Sequence, residues 1–102
     1  MNLSMLQRAV REGRIQWRQH ALQRMIERDI SRDRVCAAIL NGEIIEDYSA
    51  DRPFPSVLLL AFVEGGPLHV VVALDPGAEY AYIITAYEPR ADRFGPDFRT
   101  RR

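Results

Sequence analysis

The chain has 102 residues, a formal net charge of zero and an apolar fraction of 47%, the make-up of one globular domain that buries roughly two-thirds of the surface its unfolded chain exposes. A single cysteine, Cys36, excludes an intrachain disulfide, and two histidines without CxxC or HExxH spacing argue against a protein metal cage. The neutral total conceals a segregation: residues 1–34 carry +4, residues 35–89 carry −7 and residues 90–102 carry +3, with arginine as the only basic residue.

Leu3, Leu6, Ala9 and Val10 recur at helical spacing, and Gly13 falls where a C-terminal cap belongs. A short extended piece follows at residues 15–17. Residues 17–28, WRQHALQRMIER, then set His20, Arg24 and Arg28 on one helical stripe. A four-residue step advances about 400°, so successive members shift by only about 40°. Leu22, Met25 and Ile26 fall on a different face, the one expected to meet the core. Ser31 is the expected N-cap of a third helix, with Ile30 and Val35 as a hydrophobic staple. Val35, Ala38 and Ile39 would point inward, Cys36 would pack as a small hydrophobe, and Asn41-Gly42 would make a left-handed exit.

Beyond Gly42 the period changes. Residues 44–48 read as a short strand, and Pro53 with Pro55 interrupts anything regular. Residues 57–63 are continuously apolar, as in a central strand covered on both faces, and far too short to span a bilayer. Glu64-Gly65-Gly66-Pro67 reads as a hairpin connection into a strand at 68–74, and Asp75-Pro76-Gly77 as a turn into a strand at 80–87. Short links force antiparallel neighbours. The expected fold is therefore α+β: N-terminal helices packed on a small antiparallel meander, one domain over 1–102. From about residue 90 an arginine-rich tail follows, with little apolar content to order it. The opening segment lacks the apolar core of a signal peptide, which points to a reducing cytoplasm and no membrane.

Pairing across the last hairpin sets His69 opposite Thr85, with Val71, Ile83 and Tyr87 on the same sheet face and Tyr80 and Tyr82 on the other. A histidine in an otherwise apolar strand needs a partner or a purpose. Thr85 or a backbone carbonyl could satisfy it, or it could transfer protons. Glu43, Glu46, Asp47 and Asp51 lack an established ligand spacing and read as solvated surface. The stripe has a chemical logic of its own. An imidazole that titrates near neutral pH, beside two fork-shaped cations, suits phosphodiester chemistry, and a plain solvated helix face can carry the same residues.

The pattern H-A-x-x-R-M-x-E-R-x-I-S, carried by His20, Ala21, Arg24, Met25, Glu27, Arg28, Ile30 and Ser31, resembles domain-of-unknown-function family 4258. So do GEIIEDY at 42–48, LHVVVALD at 68–75 and IITAYEP at 83–89. That family looks related to the RelE-like bacterial toxins, including the BrnT and MqsR types. The resemblance implies helices on a small sheet, a metal-free and cofactor-free endoribonuclease acting on messenger RNA, and an antitoxin encoded by an adjacent gene. The motif residues it carries over are His20, Arg24, Arg28, Thr85 and Tyr87. Many RelE-like toxins rely on lysines, and this chain has none.

On this reading the RNA 2′-hydroxyl attacks its own phosphodiester, either free or on the ribosome, and leaves a cyclic phosphate. His20, then His69, are the candidates for proton transfer, with Tyr87 as a hydrogen-bond donor. Arg24 and Arg28 would clamp phosphate with Thr85 beside them, while Arg90 and Arg93 extend the backbone-binding surface. The alternative is a non-catalytic module whose arginines bind an acidic partner protein or nucleic acid.

Overall fold

The hydrophobic period switches near Gly42, and the fold switches with it. The computed structural model describes residues 1–102. Helices α1 (Leu3–Arg11), α2 (Gln19–Glu27) and α3 (Arg32–Asn41) come first, with the short strand β1 (Ile15–Trp17) between α1 and α2. Strands β2 (Glu43–Tyr48), β3 (Ser56–Val63), β4 (Gly66–Asp75) and β5 (Tyr80–Tyr87) follow. They form one five-stranded sheet in the order β1-β5-β4-β3-β2. The expected meander from β2 to β5 is antiparallel throughout, but β1 adds to β5 in parallel, so the sheet is mixed. The fold is α+β. No helix is long and apolar enough to cross a membrane.

Local signals account for most boundaries. The Asn2 side chain accepts from Met5 N at 3.0 Å and starts α1, and Gly13, at φ +77°, ends it in the left-handed region. Ser31 Oγ accepts from Arg34 N at 3.0 Å and starts α3. Glu64 and Gly65 both have positive φ, the sign pattern of a type I′ hairpin turn between β3 and β4. At the next turn Asp75 Oδ1 accepts from the amides of Gly77 and Ala78. Gly42 departs from expectation. Its φ is −89°, extended rather than left-handed. Glycine is needed there for space, since a Cβ would lie 2.4 Å from the Ala38 carbonyl oxygen.

The helices cover one face of the sheet. Leu6, Ala9, Ala21, Met25, Val35 and Ile39 pack on Val57, Leu59, Val70, Val72, Leu74 and Ile83. Cys36 is half-buried against this core, and burial pushes its thiol pKa up. Ile26 is not part of it: at 81% exposure it points to solvent, while Met25 and Leu22 carry the apolar face of α2.

The opposite face is covered too, and its cover is the tail. Cross-strand register builds it in rows: Glu43, Leu60, His69 and Tyr87, then Glu46, Leu58, Val71 and Thr85. Phe94 is 3% exposed and meets the His69 ring edge-on at 4.5 Å between centroids, and Phe98 packs edgewise on Phe62. Arg101 reaches Glu46 with two hydrogen bonds, 2.7 and 3.0 Å, and Arg99 pairs with Glu43. Two aromatic anchors and two ion pairs across the sheet thus order a segment whose composition promised no order.

Candidate functional site

A β-bulge in β5 decides which side chains meet. The pairing of β4 with β5 shifts between Val71 and Val72, leaving Ile84 as the extra residue. The hairpin also closes on Asp75 and Tyr80 instead of Leu74 and Tyr80, and the two one-residue offsets together set His69 opposite Tyr87, not Thr85, and Thr85 opposite Val71. Ile83, expected beside His69, belongs to the helix-side core, and Tyr80 and Tyr82 share the face of His69 instead of opposing it.

His69 is fully buried and fully partnered. Its Nε2 lies 2.8 Å from the Phe98 carbonyl oxygen, which can only accept, so Nε2 carries the proton. Its Nδ1 then accepts from the Tyr87 hydroxyl at 3.3 Å. Burial pushes the His69 pKa below its ordinary value, against the opposing pull of the Phe98 carbonyl, and pushes the Tyr87 hydroxyl up. The Tyr87 proton is thus committed inward, to a histidine sealed from solvent.

The arginines behave differently. Helix α2 lies along β5, with Arg18 near its start stacked over Tyr82 and Arg28 just past its end. Arg28 donates to the Ala86 carbonyl at 2.8 Å and to Thr85 Oγ1 at 3.4 Å. These bonds hold the guanidinium over the part of β5 that the short β1 leaves unpaired. There it lines a cavity of about 480 Å³ with Tyr87, Glu88, Arg90 and Arg93. Arg90 is clasped by Asp92 at 3.0 and 2.8 Å, and Glu88 faces Arg34. Arg28 and Arg93 pair with no carboxylate. The result is a concave site with two uncompensated cations, suited to an anionic ligand.

Of the residues singled out in the sequence, Arg28, Thr85, Tyr87, Arg90 and Arg93 come together here. Arg24 is exposed on α2 and ion-paired to Glu27 at 3.5 Å. His20 is exposed in the first turn of the same helix, about 12 Å along the axis from Arg28 at 1.5 Å per residue. His69 lies beneath the tail, joined to the cavity only through Tyr87. The four carboxylates Glu43, Glu46, Asp47 and Asp51 each have a partner: Glu43 has Arg99, Glu46 has Arg101 and Tyr48, Asp47 has the N-terminus, and Asp51 has Ser56.

Sequence reasoning missed Glu88, Arg34, Phe94 and Phe98. Arg34 is 7% exposed, donates to the Val63 carbonyl at 3.1 Å and holds Glu88 at the cavity rim. Its position next to Val35, on the inward side of α3, was the available signal. Phe94 and Phe98 were visible as the only aromatic residues of the tail.

Among curated proteins none matches this chain. Residues 17–88, from β1 through the cavity wall at Glu88, match the family described as Domain of unknown function (DUF4258), and the chain belongs to that family.

Proposed function

We propose that this protein is a RelE-like toxin, a metal-free endoribonuclease that binds messenger RNA through the cavity of Arg28, Arg90 and Arg93 and is held inactive by an antitoxin from an adjacent gene. The observation that carries the reading is the convergence of three guanidiniums on one concavity, two of them without a carboxylate partner. Such a site binds the phosphate backbone in a salt-dependent way, whatever the base sequence.

From that anchor the exposed stripe continues through Arg24 to His20, in steps of about 6 Å along the helix axis. An extended strand laid on it sets one phosphodiester near the imidazole. There the 2′-oxygen bonds to phosphorus, the bond from phosphorus to the 5′-oxygen breaks, and a cyclic phosphate and a free 5′-hydroxyl result. His20 takes the proton of the 2′-hydroxyl and returns it to the departing 5′-oxygen. Tyr87 serves as a wall of the cavity, since its proton already goes to His69.

One observation favours a second reading, a non-catalytic RNA-binding module: His69 is sealed, and His20 stands apart from the cavity. Inducible expression with and without the adjacent gene separates the two. Growth arrest with RNA cleavage that His20→Gln abolishes supports the endoribonuclease. RNA binding without cleavage supports the module.

A further inference from the structure

At the other end of β5 lies a second concavity, outside the residues assigned so far. It has a volume of about 200 Å³ and is lined by Arg18, Asp51, Arg52, Pro53, Phe54, Ala73 and Ile84. That is smaller than the roughly 300–1,000 Å³ of clefts that take whole small molecules, and matches one planar ring system. Phe54 is the aromatic part of its wall. Phe54 stacks on Tyr82 with ring centroids 5.6 Å apart and planes 12° apart, and Tyr80 packs on Tyr82 from the side. Arg18 lies 5.8 Å over the Tyr82 ring and has no carboxylate partner. Arg52 donates to the carbonyls of Ala50 and Asp51 and forms no ion pair, while the neighbouring Asp51 carboxylate accepts from Ser56 Oγ at 2.5 Å.

We propose that this concavity is a nucleobase subsite, in which a base of single-stranded RNA stacks against Phe54 while Arg18 and Arg52 hold the adjoining phosphates. The assignment rests on the RNA reading given above and extends it. Aromatic platforms flanked by arginines are the chemistry of sequence-tolerant single-strand binding, because every base has a π-face. The geometry places the subsite on the same track as the phosphate cavity. Arg18 immediately precedes α2 and touches Tyr82 at the start of β5, and Arg28 follows α2 and touches Thr85 and Ala86 near the end of β5. His20, Arg24 and Arg28 are exposed, and they follow Arg18 along α2 at four-residue spacing. A strand bound at both ends passes the imidazole.

The test uses the intact protein, an oligouridylate of eight nucleotides and a matched strand with one abasic nucleotide, with affinity measured by fluorescence anisotropy over a salt series. Phe54→Leu should weaken binding of the full oligonucleotide about 10-fold, the effect of one lost stack, with the salt dependence unchanged. Phe54→Tyr should bind like the parent. Arg18→Gln, at an exposed position, should weaken binding without altering the melting temperature, which covers the case in which Phe54→Leu disturbs the fold. The abasic strand should reduce the difference between parent and Phe54→Leu. Should Phe54→Leu and Arg18→Gln both bind like the parent while Arg28→Gln with Arg93→Gln binds weakly, the subsite is wrong and the RNA reading stands. Should the parent protein show no salt-dependent affinity for RNA, both fall together.

Discussion

The Nε2 proton of His69 points at the carbonyl oxygen of Phe98, 2.8 Å away, and this bond ties the C-terminal segment to the centre of the sheet. Tyr87 completes the arrangement from the other side of the ring. Replacing His69 by glutamine should therefore cost about 1–3 kcal/mol through groups left without partners in a buried setting. Melting curves measure the loss, and hydrogen exchange should show amides of residues 90–102 opening before those of β3 and β4.

Acid should act through the same residue. Burial holds the His69 pKa below its ordinary 6.5, so the unfolded chain binds a proton more readily than the folded one. The stability contributed is complete above about pH 6.5 and falls as the pH drops below it. Glu46, whose pKa is lowered chiefly by its bonds from Arg101, adds a second loss below its ordinary 4.5. The melting temperature should decline in two stages, and His69→Gln should remove the upper one. A parent protein equally stable at pH 7 and pH 5.5 would contradict this.

Gly42→Ala tests the junction between helix and sheet. The added Cβ would meet the Ala38 carbonyl at 2.4 Å and the Leu60 carbonyl at 3.0 Å, both rigid backbone. A cost of about 1–3 kcal/mol follows, as for other overpacked sites, and calorimetry or denaturant titration checks it. Asn41→Ala, which removes only an exposed bond from Asn41 Nδ2 to the Ala37 carbonyl, should cost less than 1 kcal/mol, about the worth of one exposed hydrogen bond.

His20→Gln should leave the melting temperature unchanged, because the side chain is exposed and off the apolar face of α2. If His20 moves the proton, RNA cleavage should fall by about 10²-fold or more. Cleavage at the parental rate by a folded His20→Gln variant would remove this residue from the chemistry.

Local chemistry was legible in the chain, and long-range chemistry was not. Ser31, Gly13 and the Glu64-Gly65 turn act within a few residues, so their roles could be read directly. The bulge at Ile84 could not be read, because it reflects how β5 settles against β4 and not a turn residue within it. The hairpin closes on Asp75 and Tyr80 instead of Leu74 and Tyr80, which turns Ile83 into the core, and the bulge adds a second one-residue offset that brings His69 from Thr85 to Tyr87. The tail is ordered by Phe94 on His69 and by Arg99 and Arg101 on Glu43 and Glu46, partners more than 20 residues away that composition does not reveal. The opposite charges of the middle and C-terminal segments were the visible trace of it. Of the site, Arg28, Arg90 and Arg93 were legible as cations. Their convergence depends on α2 lying along β5 and on Arg28 bonding to Thr85 and Ala86. Ile26 marks the limit of helical periodicity, since it is 81% exposed while the adjacent Met25 is buried.

The central claim, that the arginine cavity binds the RNA backbone, is tested most directly by the salt dependence of single-strand affinity. Each phosphate contact contributes roughly 0.7 to the slope of log affinity against log salt. Arg28→Gln combined with Arg93→Gln should lower that slope by about 1.4 and weaken binding across all sequences alike. A folded double variant with the parental affinity and the parental slope would contradict the account.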